Sequence, residues 1–304
     1  MKGPHGCHRG LIPPAANRIL RMKICRYNDN RLGLVSDDGV RDVSAALAKL
    51  PSSSYPFPRH DVLIASLDSL RPEIEKLAKN AKPTPLASVK LLSPVANPGK
   101  IIAAPVNYTK HLQEALADKG IHHGNLVQEI HKAGMFLKAT SAVVGPSEGV
   151  KLIHTDRRND HEVELAIVIG KAAKNVKAAQ ALDCIAGYCI GLDMTIRGPE
   201  ERSLRKSPDS YCVLGPWLVT RDEVPDAGQL GVKITVNGQV KQDAHTSDLI
   251  LSVAQLVEWG SAFYTLHPGD VILTGTPQGV GPVRPGDTMV ATVERVGSMT
   301  VAVT

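Results

Sequence analysis

The chain has 304 residues, 43% apolar and 21% charged, with a formal net charge of +5. This length buries a large core in one domain or two, and no run of 18 or more apolar residues predicts a transmembrane helix. The positive charge is local, because residues 1–28 hold six basic residues and no acid, leaving 29 basic against 30 acidic residues elsewhere. A basic nucleic-acid-binding face is therefore not expected on the folded part.

Residues 1–21 lack the apolar stretch of a secretory signal and the Ser/Arg pattern of a transit peptide. They are expected to form a disordered extension, or to precede the true start, with Met22 opening the fold. Cys7, Cys25, Cys184, Cys189 and Cys212 are odd in number and contain no CxxC pair. Reduced thiols in the cytoplasm fit that usage. From Met22, "MKICRY", "RLGLVS" and "VRDVSA", separated by Asn/Asp/Gly turns, predict a small β-meander. Residues 62–81 read as helical, with Pro72 starting a second helix, since proline suits a first helical position. "SVKLLSP" reads as a strand, and "SPVANPGK" (93–100) as a boundary. The expected organisation is a small N-terminal β/α domain over 22–95 and a catalytic domain over 100–304.

After residue 100, strands and turns dominate. Asn237-Gly238 predicts a type I′ hairpin. Pro-Gly-Asp at 268–270 and 285–287 suits type II turns. Helices are expected only at about 108–119, 126–132, 178–185 and 252–264. Little βα alternation and no GxGxxG or Walker A motif argue for a mostly β fold with some α, an α+β class, rather than a Rossmann sheet.

Several motifs carry chemistry. In "NDHEVELAIVIG" (159–170), Glu162 and Glu164 lie on one side of a strand that continues into an apolar run. The pair alone also describes a solvated edge, but an inward strand needs the repulsion offset. A hard divalent cation would do this. Asp193, ending the apolar run in "GYCIGLDMTIRG", is a candidate third ligand, or an ordinary strand-end aspartate. In "NYTKHLQEA", His111 and Glu114 share a helix face at i, i+3, as a carboxylate-oriented general base or as a surface pair. Arg197, Arg202, Arg205 and Lys206 lie in a polar segment after Asp193 that would bind an anion or simply be solvated. "LTGTPQGVGP" would offer backbone N–H groups and hydroxyls to a carboxylate, or form only a turn. His122 and His123 read as solvated loop residues.

Taken in order, "NYTKHLQE", "MFLKATSAVVGP", "HEVELAIVIGK", "AGYCIGLDMTIR", "RKSPDSYCVLGPWLVT", "VNGQVKQDAHTSDLI" and "LHPGDVILTGTPQGVG" resemble the fumarylacetoacetate hydrolase family. The resemblance implies a mixed β-roll, usually assembled as a homodimer or larger. It also implies Mg²⁺, with Mn²⁺ or Ca²⁺ as alternatives, on Glu162, Glu164 and Asp193. It implies a His111–Glu114 dyad on a lid helix, Lys206 as a catalytic lysine, and Lys138, Arg197, Gly275 and Thr276 at the substrate. The implied activity is hydrolysis of a C–C bond in an acylpyruvate-like 2,4-dioxo acid, in aromatic or amino-acid catabolism. Isomerisation, hydration or decarboxylation of a 2-oxo dioic acid is the alternative, and a non-catalytic binding protein a remote one. Pro105, Thr195-Ile196-Arg197-Gly198 and Pro208 depart from the family's commonest pattern. The segment after Asp193 therefore leaves the substrate open.

Overall fold

The computed structural model describes residues 22–304. The extension expected over residues 1–21, with Cys7, lies outside the described residues. The predicted meander is present as Lys23–Tyr27, Arg31–Ser36 and Gly39–Asp42, all antiparallel. Its first turn places Asn28 and Asn30 at φ 48° and 61°, which asparagine tolerates better than most side chains. Lys23–Tyr27 then pairs with Cys212–Thr220, joining the meander to a long sheet. Beyond that pair the sheet runs through Ile185–Asp193, Val163–Ile169, Val271–Leu273, Ile101–Ala103 and Phe136–Lys138. Val271–Leu273 and Ile101–Ala103 are parallel, whereas the other neighbours on this path are antiparallel. The result is the sheet-dominated α+β class expected, built on a mixed sheet.

A second sheet orders Gln239–His245, Gly231–Val236, Thr288–Val293 and Gly297–Ala302. Asn237 and Gly238, at φ 50° and 79°, make its hairpin as predicted. Both Pro-Gly-Asp turns place glycine at positive φ, Gly269 at 87° and Gly286 at 96°. The two faces of Val163–Ile169 enter different cores. Leu165, Ile167 and Ile169 pack in one cluster with Val232, Ile234 and Met289 of the second sheet. Ala166 and Val168 share a cluster with Leu67, Leu70 and Ile74 of the helix Val62–Asn80. The strand is thus buried on both faces, which is why its sequence is apolar without alternation.

Three local expectations are corrected. Pro72 does not begin a second helix, because Val62–Asn80 is one helix, capped by Asp61 accepting from the Ile64 N–H at 3.1 Å. Ile64, Leu67, Leu70, Ile74 and Ala78 bury one continuous stripe across the proline, and this packing outweighs the hydrogen bond that proline removes. The helix expected at 126–132 is only Ile130–Ala133. "SVKLLSP" contributes only Leu91–Leu92 as strand, because a 3₁₀ turn at Leu86–Ser88 occupies its start. The helix at 252–264 is Val253–Phe263, with Ser252 and Gln255 closing a capping box.

Replacing Pro72 by alanine restores one backbone hydrogen bond in the middle of this helix. Discounted for the stiffening proline gives the unfolded chain, the expected gain is about 1–2 kcal/mol. A higher urea midpoint at unchanged m-value checks it.

Candidate metal centre and active-site cleft

Strand register assembles the acidic cluster. Glu164 lies opposite Gly191 and Val163 opposite Leu192. The Asp193 N–H donates to the Glu162 carbonyl at 2.9 Å. A Cβ at Gly191 would meet Leu273 Cδ2 at 2.5 Å, so a side chain here would displace that leucine. The outcome is that Glu162, Glu164 and Asp193, all buried, offer carboxylate oxygens within 4.8 Å of one another.

Cations surround two of the three. Lys206 Nζ donates to Glu162 Oε2 and Asp193 Oδ2, both at 2.7 Å, and to Thr195 Oγ1 at 2.6 Å. Its three N–H donors are therefore all used. Arg197 reaches Glu162 Oε1 through Nη2 and Asp160 Oδ2 through Nε, both at 2.8 Å. Burial alone would raise Glu162, but Lys206 and then Arg197 outweigh it and hold the carboxyl far below its ordinary value. Glu164 has no cationic partner and accepts only the Gly275 N–H, at 2.6 Å. Burial, then the Asp193 charge, push it well above the ordinary value. Three buried hard-oxygen donors, one of them uncompensated, are a set that suits Mg²⁺ or Mn²⁺.

The cluster opens into a cleft of about 640 Å³. His111 lines it from the helix Thr109–Ala117. Its Nδ1 faces Glu114 Oε2 at 2.9 Å, and Glu114 Oε1 accepts the Gly279 N–H at 2.9 Å. The dyad's carboxylate is thus tied to the loop after "TGTP", and Nε2 remains the ring nitrogen not engaged by Glu114. The turn before this helix holds Val106 at φ 43°, a conformation rare for a β-branched residue. Asn107 clamps it, with Nδ2 donating to the Leu251 and Thr274 carbonyls and Oδ1 accepting the Leu251 N–H.

Of the residues singled out in sequence, Glu162, Glu164, Asp193, His111, Arg197, Lys206 and Thr276 meet at the cleft, with Arg202 and Arg205. Gly275 acts through its N–H on Glu164. Lys138, expected at the substrate, has its ammonium buried against Asp193 Oδ1 and the Lys206 carbonyl. His122, expected to be solvated, ends the short helix Lys119–His122 and lines the cleft. Sequence reasoning missed Asn107, Asp160, Phe136 and Gln242. Gln242 Nε2 donates to Thr276 Oγ1 at 2.7 Å, while its Oε1 accepts the Val163 N–H at 3.0 Å. One buried glutamine therefore fixes Thr276 against the glutamate strand, across 34 residues of chain. The sequence signal was that Gln242 falls in the phase of Val240 and Ala244, a polar residue where the alternation of "QVKQDAH" is otherwise apolar.

A mixed sheet presenting a buried triad of carboxylates to a cleft with a histidine–glutamate dyad defines a metal-binding enzyme. Residues 100–304 match the C-terminal domain of fumarylacetoacetate hydrolase, and the chain belongs to that family. It is 63% identical to the maleylpyruvate hydrolase of Aquipseudomonas alcaligenes over 284 residues, 93% of this chain and 99% of that one. A mitochondrial oxaloacetate tautomerase of Xenopus laevis is 33% identical, over 90% of this chain and 83% of its own length. The structure of maleylpyruvate hydrolase from Sphingobium sp. SYK-6 in complex with manganese(II) and pyruvate superposes with a TM-score of 0.79 at 39% identity. That match covers 93% of this chain and 98% of the other. Among the described residues no helix is long and apolar enough to cross a membrane.

Gly275 stands at φ 95°, where a Cβ would meet Asn107 Cβ at 2.7 Å and the Ala104 carbonyl at 3.2 Å. Gly275→Ala should cost about 1–3 kcal/mol of stability and displace the N–H that holds Glu164. A lowered thermal midpoint together with weaker Mn²⁺ binding by calorimetry is the expected result.

Proposed function

We propose that the protein is a divalent-metal-dependent hydrolase cleaving a C–C bond of an acylpyruvate, a 2,4-dioxo acid. The carrying observation is one cleft in which the His111–Glu114 dyad faces the Glu162–Glu164–Asp193 triad. Similarity over nearly the whole length to a maleylpyruvate hydrolase supports it. So does likeness to the structure that holds manganese(II) and pyruvate. Mg²⁺ is our choice of native ion, with Mn²⁺ able to replace it, because all three donors are carboxylate oxygens. A cytoplasmic homodimer working in aromatic catabolism completes the proposal.

Glu162, Glu164 and Asp193 would hold the ion, which when bound supplies Lewis-acid polarisation and orientation of a 2-oxo carboxylate. His111, oriented by Glu114, takes a proton from water as the water oxygen bonds to C4 of the substrate. Lys206 exchanges one of its three contacts for the oxygen that gains charge at C4. The C3–C4 bond then breaks, its electron pair stays with C3, and the proton on His111 passes to C3. The products are pyruvate and a carboxylic acid, with one water consumed. Gln242 keeps Thr276 in place, and Thr276 lines the wall against which the substrate sits.

A tautomerase reading has the relative that is 33% identical in its favour. It uses the same dyad to move a proton but consumes no water. An assay of the Mg²⁺-loaded protein in ¹⁸O-water separates the two. Hydrolysis releases stoichiometric pyruvate and an ¹⁸O-labelled acid, whereas an enol absorbance change without pyruvate would decide for tautomerisation. His111→Ala is expected to lower kcat by roughly 10²- to 10⁴-fold with metal binding retained. Glu164→Ala should lose calorimetric metal binding and turnover together, and full activity in that variant would refute the metal site.

A further inference from the structure

Strand pairing sets two arginines side by side next to the acidic triad. The short strand Asn159–His161 pairs with Thr195–Ile196, and the Arg197 N–H then donates to the Arg158 carbonyl at 2.8 Å. Neighbouring guanidiniums repel unless an acid lies between them. Asp160, fully buried, does this: its Oδ1 accepts from Arg158 Nε at 2.7 Å and its Oδ2 from Arg197 Nε at 2.8 Å. Arg197 continues to Glu162 Oε1 through Nη2 at 2.8 Å. In the other direction, Arg158 Nη1 donates to Asp118 Oδ2 at 2.9 Å. Four charge-assisted bonds therefore alternate from Asp118 through Arg158, Asp160 and Arg197 to Glu162.

Asp118 is the residue at which the histidine helix, Thr109–Ala117, ends. An acid there faces the negative end of that helix's dipole, which is unfavourable. Its two oxygens have separate uses. Oδ1 caps the following helix, Lys119–His122, by accepting the Gly120 N–H at 2.7 Å, and Oδ2 goes to Arg158. Serine would cap as well as aspartate does, so the second oxygen and the charge answer to Arg158. The helix is also tied at its start by Asn107 and in its middle by Glu114, which accepts the Gly279 N–H. The Asp118 tie fixes its far end and leads by side-chain charges to Glu162. As a stability device the pair is weak, because the Arg158 and Asp118 side chains are 26% and 42% exposed. Its consequence belongs in the placement of His111.

We propose that Arg158 is a positioning residue for the reaction. Through Asp118 on one side and Asp160 and Arg197 on the other, it fastens the end of the histidine helix to Glu162, so that the base and the acidic triad keep one separation. For its effect on turnover this rests on the hydrolase reading above.

The test uses the Mg²⁺-loaded full chain with acetylpyruvate as probe. Asp118→Ser keeps a capping oxygen for the Gly120 N–H but loses the carboxylate that meets Arg158. Arg158→Gln breaks the same contact from the other side. Each should lower kcat by roughly ten- to hundred-fold, with KM changed less than about two-fold and the thermal midpoint nearly unchanged. The double variant should be no slower than the slower single one, because both remove one interaction. Arg158→Lys, charged but unforked, should recover part of the loss. Backbone amide exchange over residues 109–117, read without substrate, should quicken at least about five-fold in both single variants. A kcat within about two-fold of native in Asp118→Ser, or losses that multiply in the double variant, would overturn the assignment. If the native protein releases no pyruvate, the hydrolase reading fails and amide exchange alone decides. Unchanged exchange over 109–117 would then overturn the anchor as well.

Discussion

Three carboxylates in one buried volume are an unstable arrangement unless positive charge sits among them. At the separations found here, mutual repulsion raises a carboxyl's pKa strongly in a poorly solvated site. Lys206 bridges Glu162 and Asp193, Arg197 braces Glu162 from the side of Asp160, and Lys138 supports Asp193. Glu164 is left with a backbone N–H alone. The protein has therefore balanced two of its three acids internally and left the third for an ion.

Much of the remaining structure serves to keep that cluster in shape. The glutamate strand is buried on both faces, pressed between the second sheet and the long helix. Rigid packing of this kind resists the outward swing by which like charges would otherwise relax. The neighbouring strand delivers Asp193 by register, and Gly191 permits the close approach. On the opposite wall, Asn107 and Gln242 act as buried clips. One fixes the strained turn that launches the histidine helix, and the other holds Thr276 to the strand. Neither needs to touch substrate to matter, because a general base is effective only within hydrogen-bonding reach of the proton it takes.

The histidine helix and the loop after Thr276 are coupled through Glu114, which accepts from both His111 and the Gly279 backbone. His111 is thus oriented by a carboxylate that is itself oriented by the loop beside the acidic triad. The cationic wall shows a different economy, with some side chains fully spent on protein acids and others held free. Lys206 of one short helix is spent on the triad, whereas Arg202 of the same helix lies over the Phe136 ring.

What could be read from the sequence was whatever depends on neighbours along the chain. Period-two spacing placed Glu162 and Glu164 on one side of a strand, the i, i+3 spacing paired His111 with Glu114, and Asn-Gly and Pro-Gly-Asp located turns. Even the family resemblance rests on such local motifs, taken in order. Where long-range packing competes with local preference, the reading failed. Pro72 stayed inside a helix because a buried stripe crosses it. Asp193 was legible as a third acid only through an apolar run and the family resemblance, and the tertiary structure brings it to the glutamates by strand register. Only the tertiary structure could say that Gln242 reaches Thr276. Those facts depend on strand register and on side chains brought together across tens to more than a hundred residues, distances over which the sequence carries no spacing rule.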